Sequence, residues 1–411
     1  MIKLNIFDVA SISEVIEIIN DKFEYSLPSE VVGLLECHDR ILHDDVISGV
    51  NIPDFRRSTV DGYAVRSRDL FGASETSPSM LDLIGEAEMG KINLRSLELP
   101  GECVYIPTGG MLPEGSDAVI MIENIEQLDE ITLLANKSVA PGENVIQIGE
   151  DIGEGELVLR KGVRLRPYEI GVLASIGCTS VIVTKKPKIG IISTGDEIVE
   201  PGKVPALGQV RDINSYLLYS LTQESSGEPV MYDFVRDDFD ELRKTVGSAL
   251  RECDTVLISG GSSVGKKDET MNVINSFENS EILVHGIAIK PGKPTILGKA
   301  GGKAIFGLPG HPLACAVIYK AFVTRYINKL TGKVEADYPV ECEFEINYHK
   351  AKGREEYLPV AIRQEGDVRI ATPILSKSGL ITGFSKAWGY IKIEKNNEGL
   401  SKGQAVQVYK F

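Results

Sequence analysis

Residues 254–268 read DTVLISGGSSVGKKD, an apolar run through Val256, Leu257 and Ile258 that opens directly into a glycine-rich turn. An apolar strand without alternation is one covered on both faces, as in a parallel sheet flanked by helices. From Gly260 the turn follows the G-x-x-x-x-G-K spacing of a nucleotide-binding P-loop, but Lys267 stands where that loop needs a Ser or Thr hydroxyl for Mg²⁺. Gly260, Gly261 and Gly265 let backbone N–H groups approach an anion without interference from a Cβ, and Lys266 and Lys267 add positive charge. The turn therefore reads as an oxyanion or phosphate cradle, or as a tight strand-to-helix connection whose glycines serve packing alone.

The flanking sequence alternates in the same way between about Lys185 and Leu330. KIGIIS (188–193) is a second buried strand. NSYLLYSLTQESSG begins at Asn214, a residue suited to a helix cap, carries Leu217, Leu218 and Leu221 at helical spacing, and stops at Gly227. PVMYDFVR returns as a strand, and DFDELRKTVGSALREC places Phe239, Leu242, Val246 and Leu250 on one helical face. This alternation predicts a doubly wound, mostly parallel α/β sheet domain over 185–330. Ligands of such sheets bind beyond the carboxyl ends of the strands. That points to STGDE (193–197), VRDD (235–238), SGGSSVGKKD (259–268), KPGKP (290–294) and GLPGHP (307–312).

The rest of the chain reads differently. Residues 46–147 are β-rich, punctuated by turns such as LPGE and LPEGSD, and form a separate module. RPYEIGVLASIG (166–177) is one helix stopped by glycine. Over 331–411, VRIATPIL, GYIKIEK and AVQVYKF lie between glycine-containing turns and predict a small all-β, barrel-like domain. A chain of 411 residues exceeds what one core usually serves, so a multidomain α/β protein is expected.

A net charge of −15 argues against a nucleic-acid surface and requires a local cationic pocket if the substrate is an anion. The six cysteines, Cys37, Cys103, Cys178, Cys253, Cys315 and Cys342, include no C-x-x-C pair, which speaks for reduced thiols over zinc or a disulfide framework. No signal peptide and no apolar run of about 18 residues is present, so a cytoplasmic protein without a membrane is expected.

Within the strand-end loops, Asp196, Glu197, Asp237, Asp238 and Asp268 are carboxylates that converge on Mg²⁺ or else serve as helix caps. Lys290 and Lys293 sit in a loop stiffened by Pro291 and Pro294, facing the ligand or solvent. His311 either binds an anion or packs at a helix start. In the N-terminal half, Asp61 beside Gly62, Thr108 in a glycine-rich turn, Glu123 and Asp151 are compatible with ordinary turn chemistry. There is no G-x-S-x-G, H-E-x-x-H or G-x-G-x-x-G fingerprint.

Taken in order, STVDGYAV, PTGGMLPEGSDAVIMIE, GEDI, STGDEIVEPG, VRDD, SGGSSVGKKD, KPGKP and GLPGHP resemble the molybdopterin molybdenumtransferases, the family that includes the C-terminal part of gephyrin. GREEYLPV and SGLITGFSKAWGYIKI extend the likeness toward the end of the chain. The resemblance implies an elongated homodimer of four-domain subunits: an N-terminal helix (1–23) joining the α/β domain, a linker domain (24–45 and 148–184), the inserted module (46–147), the α/β domain and the C-terminal β domain. It implies that adenylylated molybdopterin and molybdate, with Mg²⁺, give molybdenum cofactor and AMP, and that a molybdopterin adenylyltransferase is a transient partner. Asp61, Thr108, Asp151, Glu197, Asp237 and Asp268 become site residues, with Asp237 and Asp268 as magnesium ligands. Ser259, Gly260, Gly261, Ser262, Gly265, Lys266, Lys290, Pro291, Lys293, Pro294 and His311 become substrate-binding residues.

Three positions depart from the family pattern: Val60, Gly110 and His311 stand where Met, Ala and Asn are usual. An imidazole gains charge near neutrality and an amide does not, so His311 is expected to make oxyanion binding pH-dependent. Two other readings share the motifs: the preceding adenylyl transfer to molybdopterin, and a gephyrin-like scaffold. Tungstate is as suitable an oxyanion as molybdate.

Overall fold

The computed structural model describes residues 9–92, 95–260, 267–334, 338–375, 377 and 379–411. Its central domain is built from β1 (Lys188–Thr194), α1 (Asn214–Glu224), β2 (Glu228–Met231), α2 (Phe239–Glu252), β3 (Thr255–Gly260), α3 (Lys267–Asn275), β4 (Glu281–His285), β5 (Ile296–Ala300) and β6 (Lys303–Leu308). The strands lie in the order β2-β1-β3-β6-β5-β4. Neighbours β2, β1, β3 and β6 run parallel, while β5 is antiparallel to both β6 and β4.

Strand period explains the two helical layers. Ile189, Ile191 and Leu257 point into a core shared with Leu218 and Leu221 of α1, whereas Ile192, Val256 and Ile258 point the other way, onto Leu242, Val246 and Ala249 of α2. The helix Ile12–Lys22 joins the first layer through Val15 and Ile19, with Phe23 following. The Phe23 ring meets Tyr326 edge-on at 5.1 Å. Each such fully buried large side chain stabilises the layer by roughly 1.5–3 kcal/mol. Ser11 and Glu14 close a capping box at this helix, which satisfies its first free N–H groups.

The inserted module is a six-stranded sheet whose strands include Gly62–Val65, Ser79–Glu86, Glu102–Ile106 and Ala118–Met121. Tyr63 and Val65 face one core and Ala64 the other, so both faces are covered. Between module and α/β domain, Ser29–Gly33 pairs antiparallel with Ser180–Thr184 over a small core containing Leu42, Leu165 and Leu173.

Five C-terminal strands, Val340–Phe344, Glu355–Glu365, Val368–Pro373, Gly389–Ile393 and Ala405–Lys410, close into a barrel. The long strand Glu355–Glu365 pairs with both Val368–Pro373 and Gly389–Ile393, which leaves the ring without a free edge. A short strand, Ile289–Lys290, leaves the α/β domain to pair in parallel with Glu355–Glu356 of this barrel. The KPGKP loop thus belongs to a domain junction; it is not a turn between a sheet strand and a helix.

Candidate functional site

Two adjoining regions hold most of the candidate residues. The first is the carboxyl end of the α/β sheet. There β1 and β3 run side by side with Ser193 opposite Ser259 and Thr194 opposite Gly260. Gly260 has φ +132°, and a Cβ on it would lie 2.0 Å from the Thr194 carbonyl oxygen, so glycine is required where the turn begins. The first two loops brace each other: the Asp196 N–H donates to Asp237 Oδ2 and the Asp237 N–H to Asp196 Oδ1, each at 3.3 Å. Asp238, by contrast, has the helix-capping role, its carboxylate accepting the Glu241 N–H at 2.9 Å at the start of α2.

Asn214 is the first residue of α1 and not its cap; the neighbouring Asp212 carboxylate accepts the Ser215 N–H at 3.0 Å. This frees the buried Asn214 carboxamide to donate from Nδ2 to Ser259 Oγ at 2.7 Å and to the Gly310 carbonyl at 2.9 Å. Its Oδ1 is buried with no partner among the described residues. Asn214 therefore ties the SGGSSVGKKD strand end to the GLPGHP loop. Cys315, one turn into helix α4 (Pro312–Ile318), lies against Ser259, and burial pushes its thiol up to about 12. Gly261, Ser262, Gly265 and Lys266 fall outside the described residues, and Asp268 is placed only as part of α3.

The second region is a cleft of about 850 Å³ between the α/β domain and the barrel. Lys290, Pro291, Lys293, Pro294 and His311 line it from one side, Arg354, Glu356 and Lys377 from the other. Lys290 Nζ lies 2.8 Å from Glu356 Oε1. Glu356 is only 4 % exposed, and the Tyr348 hydroxyl also donates to its Oε1. Burial, reinforced by that carboxylate, raises the Tyr348 hydroxyl above the usual phenol range. The cleft gathers cations in a strongly acidic chain, which suits an anionic ligand.

The structure brings Asp61 and Thr108 together, since Asp61 Oδ1 accepts the Thr108 N–H at 2.7 Å and its hydroxyl at 3.1 Å. This pair sits on the inserted sheet, and Asp151 lies where the chain leaves that module, its N–H donating to the Ile52 carbonyl. Both are carried by parts of the fold other than the α/β sheet that carries Glu197 and Asp237. Gly110 is buried, and a Cβ there would come within 2.8 Å of Ile106 Cγ1, so the smaller residue has a local packing reason. Asn214, Tyr348, Arg354, Glu356 and Lys377 escaped the sequence-based set. Arg354 and Glu356 lie in the GREEYLPV motif, which was the available signal.

Among the described residues no group of three or more His, Cys, Asp or Glu side chains forms a metal cage, and no helix is long and apolar enough to cross a membrane. Magnesium does not require such a cage, because it keeps water and phosphate ligands beside one or two carboxylates. The hard oxygen donors of the cross-braced Asp196 and Asp237 loops fit that chemistry.

Comparison with known proteins accounts for nearly the whole chain. Residues 10–177 match the family "MoeA N-terminal region (domain I and II)", 190–329 match "Probable molybdopterin binding domain", and 342–411 match "MoeA C-terminal region (domain IV)". The chain is 33 % identical to the molybdopterin molybdenumtransferase of Haemophilus influenzae over 95 % of this chain and 96 % of that one. It is 29 % identical to the Bacillus subtilis protein of the same name, covering 94 % and 90 %. Two crystal structures of a molybdopterin biosynthesis MoeA protein from Pyrococcus horikoshii superpose with TM-scores of 0.80 and 0.86, at 37 % and 31 % identity. Each covers 98 % of this chain, and the chain covers 99 % and 100 % of theirs.

Proposed function

We propose, on the premise that this chain belongs to the MoeA family of molybdopterin molybdenumtransferases, that its oxyanion substrate is captured in the cleft between the α/β domain and the barrel. The chain is a transferase that inserts molybdenum in molybdenum cofactor biosynthesis. The observation that carries the site assignment is the convergence of Lys290, Lys293, Arg354 and Lys377 on one cleft of a −15 protein.

Molybdate is a dianion and the adenylylated pterin carries a pyrophosphate, so their approach is unfavourable unless cations stand between them. Lys290 and Lys293 hold the oxyanion, with Arg354 offering a planar fork of donors from the barrel side. Pro291 and Pro294 fix the loop, and His311 adds a further donor. The strand-end turn, Ser259 through Lys266, receives the phosphate-bearing part of the pterin, with Asn214 holding Ser259 in register. Magnesium, held by Asp237 and Asp268 beside substrate phosphates, would polarise the scissile phosphoanhydride as a Lewis acid. Glu197 assists on the same face. Asp61 and Thr108 are assigned to the site as contributions of the inserted module from a second copy of the chain in a homodimer, and Asp151, in the linker, is assigned to the site as well. Adenylylated molybdopterin arrives by transient contact with its adenylyltransferase in the cytoplasm, and tungstate is an equivalent oxyanion.

The test is AMP release from purified adenylylated molybdopterin, with and without molybdate and Mg²⁺. Wild type should release AMP only with the oxyanion; Asp268→Asn and Lys290→Ala/Lys293→Ala should fail while remaining folded. Oxyanion-independent release, or full activity in the lysine double variant, would remove the cleft from the mechanism.

A further inference from the structure

Arg354 reaches the oxyanion cleft from a turn whose backbone is tied to a buried cation. The chain leaves the short strand Tyr348–His349, paired antiparallel with Gly399–Leu400, and re-enters the barrel in Glu355–Glu365. Residues 351–354 make the connection and are all exposed, whereas Lys350 at its entrance is only 9 % exposed. Lysine is rarely buried to that degree, because an ammonium leaves water only where it finds acceptors. Lys350 Nζ donates to the Arg354 carbonyl at 2.9 Å, and the Ala351 carbonyl lies at 3.5 Å. One side chain thus spans the turn from its first residue to its last.

The peptide group between Arg354 and Glu355 is held at both of its polar atoms. Its carbonyl accepts from Lys350, and its N–H donates to the Ala288 carbonyl at 2.9 Å, just before the strand that carries Lys290. Other restraints act elsewhere on the turn: the Gly353 N–H donates to the Lys395 carbonyl at 2.9 Å, and Lys352 pairs with Glu398 at 3.0 Å. The second joins two exposed side chains and contributes little. Glu355 offers Lys350 a rival role as counter-ion, since burial raises its carboxyl while Lys392 and Lys350 draw it down.

A guanidinium carried on a loose turn loses backbone and rotamer freedom when an anion binds, and one carried on a fixed turn loses less. A lysine mount also adds positive charge near the cleft, where a carboxylate mount would subtract it. We propose that Lys350 is a positioning residue for oxyanion capture: its buried ammonium fixes the Arg354 backbone, and so the root of the guanidinium arm, relative to Lys290. The inference rests on the assignment of the oxyanion to the cleft that Arg354 lines.

The test is AMP release from adenylylated molybdopterin as a function of molybdate concentration, in wild type, Lys350→Met, Arg354→Ala and the double variant. Methionine keeps an apolar stem and removes the ammonium donors. Lys350→Met should raise the molybdate KM at least about tenfold and leave kcat at saturation nearly unchanged, the pattern of lost binding without lost chemistry. In the Arg354→Ala background it should add nothing further, because no guanidinium remains to be placed. Glu355→Gln should keep the wild-type KM; a rise equal to that of Lys350→Met would make Lys350 a counter-ion and overturn the inference. Circular dichroism checks folding, and Lys350→Gln, which keeps a shorter donor and should give a smaller rise of the same kind, replaces Lys350→Met if that variant does not fold. Failure of both to fold would overturn the inference, since the lysine would then serve the barrel and not Arg354. An unchanged KM in folded Lys350→Met, or additive effects in the double variant, would overturn it and leave the cleft standing. An unchanged KM in Arg354→Ala would instead remove Arg354 from the oxyanion site, and the inference with it.

Discussion

Lys290 Nζ and Glu356 Oε1 stand 2.8 Å apart across the junction between the α/β domain and the barrel, with the carboxylate almost wholly buried. Glu356 Oε2 has no partner among the described residues, so this carboxylate depends on Lys290 and Tyr348 for its hydrogen bonds. Glu356→Ala should lower unfolding free energy by about 1–3 kcal/mol, the order expected for losing the hydrogen bonds that Lys290 and Tyr348 make to this carboxylate. Glu356→Gln keeps an acceptor for Lys290 and Tyr348 and should cost less. Urea denaturation of the two variants checks the order.

Asn214→Ala removes both donors that connect Ser259 with the Gly310 carbonyl. A loss of about 1–3 kcal/mol is expected from the unmet buried groups, together with slower AMP release. Comparing melting temperature with turnover below that temperature separates the two effects. Full turnover in the folded variant would deny Asn214 its positioning role.

Gly260→Ala places a Cβ 2.0 Å from the Thr194 carbonyl oxygen at φ +132°. Either β1 and β3 part at their ends or the turn is rebuilt, and strain of this kind costs of order 1–3 kcal/mol or more. A lowered melting temperature should accompany lost activity. Gly302→Ala, where no atom lies within 4 Å of the added Cβ, is the control for glycine replacement at positive φ.

Burial raises Cys103, Cys315 and Tyr319 to about 12 in the folded chain. An unfolded thiol loses its proton near about 8.5 and a phenol near about 10. Between those values and about 12 the folded state binds more protons than the unfolded state, so stability falls as pH rises. Equilibrium unfolding should show full stabilisation from these groups below about pH 8.5 and its progressive loss toward pH 12. For the same reason Ellman's reagent at pH 8 should label the partly exposed Cys178 well before buried Cys103 or Cys315.

Local pattern made much of this legible. The apolar runs 188–193 and 255–259, the helical spacing of Leu242, Val246 and Leu250, and the loops between them foretold the doubly wound sheet because period and burial are properties of short segments. The turn at Gly260 could be read as a close approach because glycine has few other uses there. Long-range pairings were not legible in the same way. Nothing adjacent to Lys290 announces that its strand partner is Glu356, 66 positions later, or that β5 runs against its neighbours. Asn214 looked like a helix cap because its sequence position permits that role, and only tertiary contact with Ser259 and Gly310 gives it another.

The pairing of Ile289–Lys290 with Glu355–Glu356 has a mechanical consequence. Although Lys290 is encoded within the α/β domain, it is mounted on the barrel, so whatever displaces the barrel carries the ammonium with it. On the role proposed for Lys290, oxyanion capture is governed by the alignment of a joint, and substitutions deep in the barrel wall, far from any ligand, should detune it without touching a single charged group.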